Sequence, residues 1–446
     1  MNSRIVRLVD QLRASYWFLP SVMAIFAILL GVLTVWLDAA PAAGLLDGLG
    51  WYQAAKPDGA REVLSTIAGS MITVAGVVFS ITIVAIAYAA SQYGPRILTN
   101  FMSDQGNQVT LGTFIATFAY CLVVLRTIRS GDEGAFVPQI SVMVGLLLAL
   151  CSIGVLIYFI HHVPHSIHIN TVVARIGEQL IDSVDQRFPA DIGDPEDTGG
   201  AATAHSAVAE SSLAQGTGVT RICARANGYV EAVDDEALME TARRKDMVLR
   251  LHHVPGDFIV KGQLLVSAWP AGRLDESGYR ALRDCYSISD RRSPFQDLFF
   301  LVDELVEIGA RALSSGVNDP YTAITCLDWL GAAAVEMCGR RMPSGRRVDD
   351  EGVLRAISDP HTFAQFIDRG FGRFRPYLAR DLNAAVHAIE TLAMVAEQCS
   401  APECVKAVDD EVGKLLSLAE HELKEPSLAQ LRTHHHALLQ TRQHSG

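Results

Sequence analysis

The chain has 446 residues, a formal net charge of −12, and 50% hydrophobic against 19% charged residues. Globular domains carry about 25% charged residues, so charge is depleted, and the deficit is confined to roughly the first third of the chain. The acidic balance excludes a nucleic-acid surface, which needs a basic patch. The eight cysteines form no CxxC pair, which fits buried single thiols in a reducing compartment better than a disulfide frame or a zinc site.

A bilayer core needs about 20 apolar residues in helical form, and four stretches supply them. The spans fall at about 17–37, 64–90, 109–128 and 137–161, within a transmembrane domain over 1–168. Trp17 and Trp36 bracket the first span, about 28 Å apart at the helical rise, which places an aromatic anchor at each interface. Arg4, Arg7 and Arg13 precede this span as in a signal peptide, but its apolar core is too long and no small-residue cleavage site follows. It is read as retained.

The second span carries small or polar residues at helical spacing: Gly69, Thr73, Gly76 and Ser80, then Ala87, Ser91 and Gly94. Steps of three, four and seven keep them on one face. That face packs closely on another helix, since small residues let backbones approach in a membrane, or it lines a pore in an oligomer. Gly94 and Pro95 end the span, and Arg96 stands at its mouth. No span holds a buried Asp, Glu or Lys, against a proton-coupled transporter.

The fourth span exits through "FIHHVPHSIHIN", where His161, His165 and His168 are spaced four then three. That spacing is a weak metal-ligand candidate, because Pro164 is expected to interrupt the helix and no carboxylate or thiol lies nearby. No metal or cofactor is expected. Residues 169–188 follow as an amphipathic exit helix with Val172, Val173, Ile176, Leu180 and Val184 on one stripe.

Residues 189–219 are rich in Ala, Gly, Ser, Asp and Pro and predict a flexible linker. Residues 220–270 alternate like strands around turns at Pro255-Gly256 and Lys261-Gly262, predicting a small β-barrel-like domain. Its "GYV…VPGDFIVKGQLL" order resembles half of a biotinyl or lipoyl domain, without the modified lysine. Residues 294–440 have helical periodicity, interrupted by "GRRMPSGRRVDDEG", which predicts a solvated surface loop. The fold class is therefore four transmembrane helices followed by a soluble α+β region.

One polar run stands out, "ALSSGVNDPYTAI" at 312–324. Gly316 suits the left-handed residue after a helix. Asp319 and Pro320 suit the cap and first position of the next helix. Asn318, Tyr321 and Thr322 exceed what such a turn requires, so Arg311, Asn318, Asp319, Tyr321 and Thr322 are the candidate ligand or interface residues. No catalytic motif is present, and the chain is read as a non-enzyme.

Together "VVFSITIVAIAYAASQYGPR", "HHVPHSI", "GYVEAVD", "VPGDFIVKGQLL" and "ALSSGVNDPYTA" resemble the bacterial membrane-protein family called domain of unknown function 2254. That family's last signature usually has Ser-Pro-Gly where this chain has Ser314-Ser315-Gly316. The resemblance implies an integral inner-membrane protein and brings no activity with it. Two functions are open: an oligomeric channel or transport-type protein with a regulatory cytoplasmic domain, or a membrane-anchored sensor or scaffold. The expected partners are the lipid bilayer, further copies of the chain, and an unspecified ion or small ligand.

Lys and Arg in short loops set orientation. The N-terminal arginines, Arg96, Arg175 and Arg187 outweigh Lys56, Arg61, Arg126 and Arg129. Both termini are expected in the cytoplasm. A reporter that functions only inside the cell will be active when fused after Gly446 and silent when inserted between the first two spans; the reverse pattern contradicts this orientation.

Overall fold

A computed structural model describes residues 17–39, 56–94, 104–130, 136–187, 194–195, 204–340 and 342–445. The chain divides into two compact units, Met1–Thr171 and Val172–Gly446.

The first unit holds four helices long and apolar enough to cross a membrane: α1 (Phe18–Ala39), α2 (Pro57–Tyr93), α3 (Gln105–Leu125) and α4 (Gln139–Ile167). Each covers one of the expected spans, with shifted ends. α2 starts earlier than its apolar run because Pro57 opens a charged first turn. α4 runs through Pro164 to Ile167 rather than stopping there. Pro164 has no N–H to give the Ile160 carbonyl, so one hydrogen bond is missing near the end of the helix. Half of the apolar window of α3 is buried, against 22%, 17% and 22% for α1, α2 and α4, so the other helices pack around α3.

Sequence explains that role. α3 is the span richest in polar residues, and Asn107, Gln108, Thr110 and Thr117 are all buried in it. In lipid such groups belong inside the bundle. The Thr117 and Ser152 hydroxyls meet at 3.0 Å. The Tyr120 hydroxyl meets Thr34 at 2.9 Å and donates to the Ser141 carbonyl at 3.0 Å. Small residues set the α1–α3 crossing: a Cβ on Gly112 would lie 2.5 Å from Met23 Sδ.

Asp38, at the end of α1, closes the first turn of α4. Its carboxylate accepts from the Ile140 and Ser141 amides, both at 2.9 Å, and from the Ser141 hydroxyl at 2.7 Å. This satisfies two otherwise orphaned amides and places negative charge at the positive end of a helix. At the other end of the bundle Asp104 caps α3 and accepts from or pairs with His162 Nε2 at 2.9 Å, while Tyr158 meets His162 Nδ1 at 3.1 Å. The start of α1 and the end of α4 thus lie at one end of an antiparallel four-helix unit.

The second unit begins inside α5 (Ile169–Arg187), whose expected stripe from Val172 to Val184 is buried. The strands then depart from expectation. They make two open sheets among the described residues, not a closed barrel. One has the order β1 (Asp194–Pro195), β8 (Arg346–Val348), β9 (Leu354–Ile357), β4 (Val248–Leu251), β6 (Leu264–Trp269), β2 (Thr220–Cys223). β4 pairs with β9 in parallel; the other neighbours are antiparallel. The second sheet is β5 (Phe258–Ile259), β3 (Gly228–Val233), β7 (Tyr286–Ser289). Between the strands, α7 (Asp235–Arg244) and α8 (Glu276–Asp284) cover the core of Ile222, Leu238, Leu249, Leu265 and Leu282.

Two expectations are corrected here. Part of the expected linker is α6 (Ala204–Gln215), with Ala209 and Leu213 buried against Val248 and Leu354. Alanine favours helix and this short apolar edge suffices to dock it. The expected surface loop supplies β8 and the lead into β9, and Arg347 within it is 1% exposed. Arg355 of β9 is held by Asp349 at 2.7 Å and Asp246 at 2.8 Å. Those aspartates make the arginine-rich segment a sheet component.

The remaining helices are α9 (Leu298–Ala312), α10 (Pro320–Cys338), α11 (Phe363–Ile367), α12 (Arg373–Leu378), α13 (Leu382–Gln398), α14 (Pro402–Glu422) and α15 (Ser427–Ser445). A π-turn, Asp368–Gly372, joins α11 to α12 without a break. Asp297, Asp319, Thr362 and Asp381 cap four of these helices through their side chains.

Replacing Asp38 with alanine will remove three hydrogen bonds from the start of α4 and cost about 1–3 kcal/mol. Reversible unfolding in detergent measures it. A loss below about 0.5 kcal/mol would mean that water supplies the cap equally well.

Candidate functional site

Two adjoining segments and a third more than sixty residues later meet around one carboxylate. Asp303 sits in the second turn of α9. Arg292 precedes that helix, Arg369 lies within the π-turn, and Arg373 follows it directly. Arg369 grips Asp303 with two bonds, Nε to Oδ1 at 2.7 Å and Nη2 to Oδ2 at 2.6 Å. Arg292 reaches the same carboxylate through Nη1 at 2.6 Å, and Arg373 through Nη1 at 3.4 Å. Arg292 also holds Asp297 through Nε at 2.8 Å and Nη2 at 2.5 Å. Asp297 in turn caps α9 at the Phe300 amide, 3.1 Å away.

Local sequence sets this arrangement. A π-turn adds a residue to the helical repeat, and such turns recur at functional sites. Here Arg369 within the turn and Arg373 just after it both reach Asp303. Gly309 makes room for the following residue, since a Cβ there would stand 2.2 Å from Phe374 Cζ. On the other side Gly256 has φ +97°, and a Cβ on it would lie 2.4 Å from Asp297 Oδ2. Only glycine allows that turn to close on the aspartate.

The network forms one wall of a cavity of ≈330 Å³, completed by the Val254–Asp257 turn, Phe299, Asp359, His361 and Gln365. Phe299 carries Arg369 on its face at 5.2 Å and meets the His361 ring at 4.2 Å. Burial raises Asp303, but Arg369 and Arg292 outweigh it and hold the carboxyl below the usual range. Burial opposes the charge on Arg292, yet its two aspartates keep it raised. Asp297, 2% exposed, is pushed up by burial against the pull of Arg292. Arg292, Arg369, Asp297 and Asp303 are each held by two or more directed bonds, which fixes this part of the wall.

The residues singled out from sequence lie elsewhere. Gly69, Thr73, Gly76, Ser80 and Ala87 share an exposed face of α2, and a Cβ on Gly69 or Gly76 would meet nothing within 4 Å. Within the chain α2 packs through the opposite face, which carries Leu64, Ala68, Ala75, Val78 and Ile86. Thr73 and Ser80 donate to the carbonyls of Gly69 and Gly76 at 2.8 and 2.9 Å. Arg96 lies outside the described residues. His161, His165 and His168 are exposed, and among the described residues no three His, Cys, Asp or Glu are grouped to hold a metal ion. The engaged histidine of that segment is His162.

In the 312–324 hairpin, Asp319 caps α10 as expected, with Pro320 first in the helix. The left-handed residue is Asn318, φ +51°, not Gly316. Asn tolerates that conformation best after glycine. Thr322 donates its hydroxyl to Asp319 at 2.6 Å, so it too belongs to the cap. Arg311 faces Glu307 at 3.8 Å. Tyr321 remains, 77% exposed. None of these residues lines the cavity. Its own signal was "DRGFGRFR" at 368–375, a helical segment with two glycines among three arginines.

The family model described as predicted membrane protein, domain of unknown function 2254, matches residues 13–394, which include all four spans and the whole Arg–Asp site. This chain belongs to that family. Similar proteins occur in Mycobacterium tuberculosis strain H37Rv and in Mycobacterium bovis, both described as uncharacterized. Each is 30% identical over 437 residues, covering 96% of this chain and 80% of its own length. No solved structure matches. Membership in the family makes the chain a membrane protein and leaves its activity to be argued from the site.

An acid titration tests the network. The folded pKa of Asp303 lies below its unfolded value, so its stabilisation is complete above the ordinary carboxylate pKa of about 3.9. It is lost as pH falls through the lower folded value. Asp303→Asn will cost about 3–5 kcal/mol at neutral pH by stranding buried guanidinium charge, and the variant will show a shallower loss of stability on acidification. Equal acid sensitivity in the two proteins would contradict the assignment.

Proposed function

We propose that this chain is a membrane-anchored ligand-binding protein, with the four-span unit as anchor and the Arg–Asp cavity as the binding site. The supporting observation is the cavity itself. Its size falls at the lower end of small-molecule sites, which run about 300–1,000 Å³. Charged groups line it while a preformed ion-pair network fixes their positions, which lowers the cost of ordering a bound molecule. On this reading the protein is a sensor or scaffold rather than an enzyme. We place it in the bacterial inner membrane with both termini cytoplasmic, in keeping with the shared end of α1 and α4.

A second reading is favoured by the exposed small-residue face of α2. An oligomer that buries this face, with or without a conducting path, uses residues its own chain leaves unpacked. The back-bonded hydroxyls of Thr73 and Ser80 need no water, so the face suits helix contact better than a wet pore.

Thermal-shift screening of the full chain in detergent against a broad metabolite set separates the readings. Ligand binding predicts at least one compound that raises the transition in wild type and has little effect on Arg373→Gln. The channel reading predicts ion flux in proteoliposomes that Gly76→Leu or Ser80→Leu abolishes. Flux with that mutational signature, and no stabilising compound, would overturn the proposal.

A further inference from the structure

The charges around the cavity define a ligand class, on the footing that the cavity is a binding site. Three arginines line it, Arg292, Arg369 and Arg373. Four aspartates line it as well, Asp257, Asp297, Asp359 and Asp368, with Asp303 behind them. Two of the arginines are already committed. Arg292 and Arg369 together make five charge-assisted bonds to Asp297 and Asp303, so this pair of cations and pair of anions is internally balanced.

Charges of both signs remain at the cavity. Arg373 is 55% exposed and touches Asp303 only at 3.4 Å, on a carboxylate that Arg369 and Arg292 already occupy. Its guanidinium is the cation best able to turn to a ligand. On segments other than its own helix stand Asp257 and Asp359. Asp359 is 83% exposed and lies 3.8 Å from Arg250, a loosely screened pair. Asp257 meets His253 at 3.3 Å and accepts from the Val254 amide at 3.1 Å, both through Oδ2. Asp368 lies toward Arg375: a Cβ on the intervening Gly372 would stand 2.9 Å from Arg375 Nη2 and 3.0 Å from Asp368 Oδ1.

A purely anionic ligand would meet Arg373 but also face Asp257 and Asp359. A purely cationic ligand would have the reverse problem. We infer that the cavity binds a small zwitterion, a molecule bearing a carboxylate or phosphate together with an amine, with its anion on Arg373 and its amine on Asp359 and Asp257. Free amino acids and the phosphoethanolamine headgroup of a lipid share this chemistry. Phe299 and His361, with rings tilted 42° to each other, supply an aromatic corner for the rest of the molecule. Each charged group then gains a charge-assisted hydrogen bond without displacing the buried network.

The test is titration calorimetry on the full chain in a neutral detergent. The probes are the common L-amino acids, their amine-free carboxylates such as propionate, and their carboxylate-free amines such as ethylamine. At least one amino acid should bind about tenfold or more tighter than either matched analogue, and Arg373→Gln and Asp359→Asn should each weaken it about tenfold. Both side chains are largely exposed, so both variants should fold. In nanodiscs, greater stability with phosphatidylethanolamine than with phosphatidylglycerol, lost in both variants, also supports the inference and assigns the source to the headgroup. Propionate binding as tightly as the amino acid, weakened by Arg373→Gln and unaffected by Asp359→Asn, overturns the zwitterion while leaving a ligand site in place. No binding by any probe or lipid, with both substitutions silent, overturns the zwitterion and counts against the site itself.

Discussion

Asp303 is the carboxylate on which the second unit's geometry depends. It is one residue on one helix, yet it receives guanidinium groups from before that helix and from a segment more than sixty residues later. Without it, Arg292 would keep only Asp297, and Arg369 would have an aromatic face but no anion. The desolvation of these charges is costly, and it is tolerable only because the bonds are short, numerous and in part bidentate. The same network fixes the cavity wall, so the stability of the fold and the shape of the site rest on a single set of contacts.

The membrane unit solves a different problem by similar means. Its spans bury polar side chains inside the bundle along α3, and each end is closed by an aspartate. Asp38 joins α1 to α4 and Asp104 joins α3 to α4. Neither carboxylate lies in the middle of a span, where charge is most expensive. Both act where helix ends leave amides unsatisfied. The face of α2 with Gly69, Thr73, Gly76 and Ser80 is left exposed, while within the chain this helix buries Leu64, Val78 and Ile86 together with Ala60, Ala68, Ala75 and Ala89.

The four spans, the α5 stripe and the Asp319 cap were legible in the sequence because each rests on local periodicity or on a residue with a local job. The strand pairing was not. β9 joins β4 across more than a hundred residues and brings β8 with it, and short strands in and beside an arginine-rich run carry little alternation to betray them. The open sheets were taken for a barrel because turn glycines mark hairpins without fixing which hairpins meet. The site was the least legible part. Arg292, Asp303 and Arg369 are ordinary surface residues in one dimension, and the π-turn that carries Arg369 has no sequence rule. The polar hairpin drew attention instead, because polar residues between two apolar helices resemble a site even when, as with Asn318 and Thr322, they serve the turn.

Backbone amide exchange across Phe363–Leu378 in the full chain tests whether Asp303 holds this site together. The account predicts protection through Asp368–Gly372 comparable to that of α9 in wild type. In Asp303→Asn it predicts much faster exchange over the π-turn and around Arg292, with α13 and α14 unchanged. Rapid exchange at the π-turn in wild type, or no local change in the variant, would contradict it.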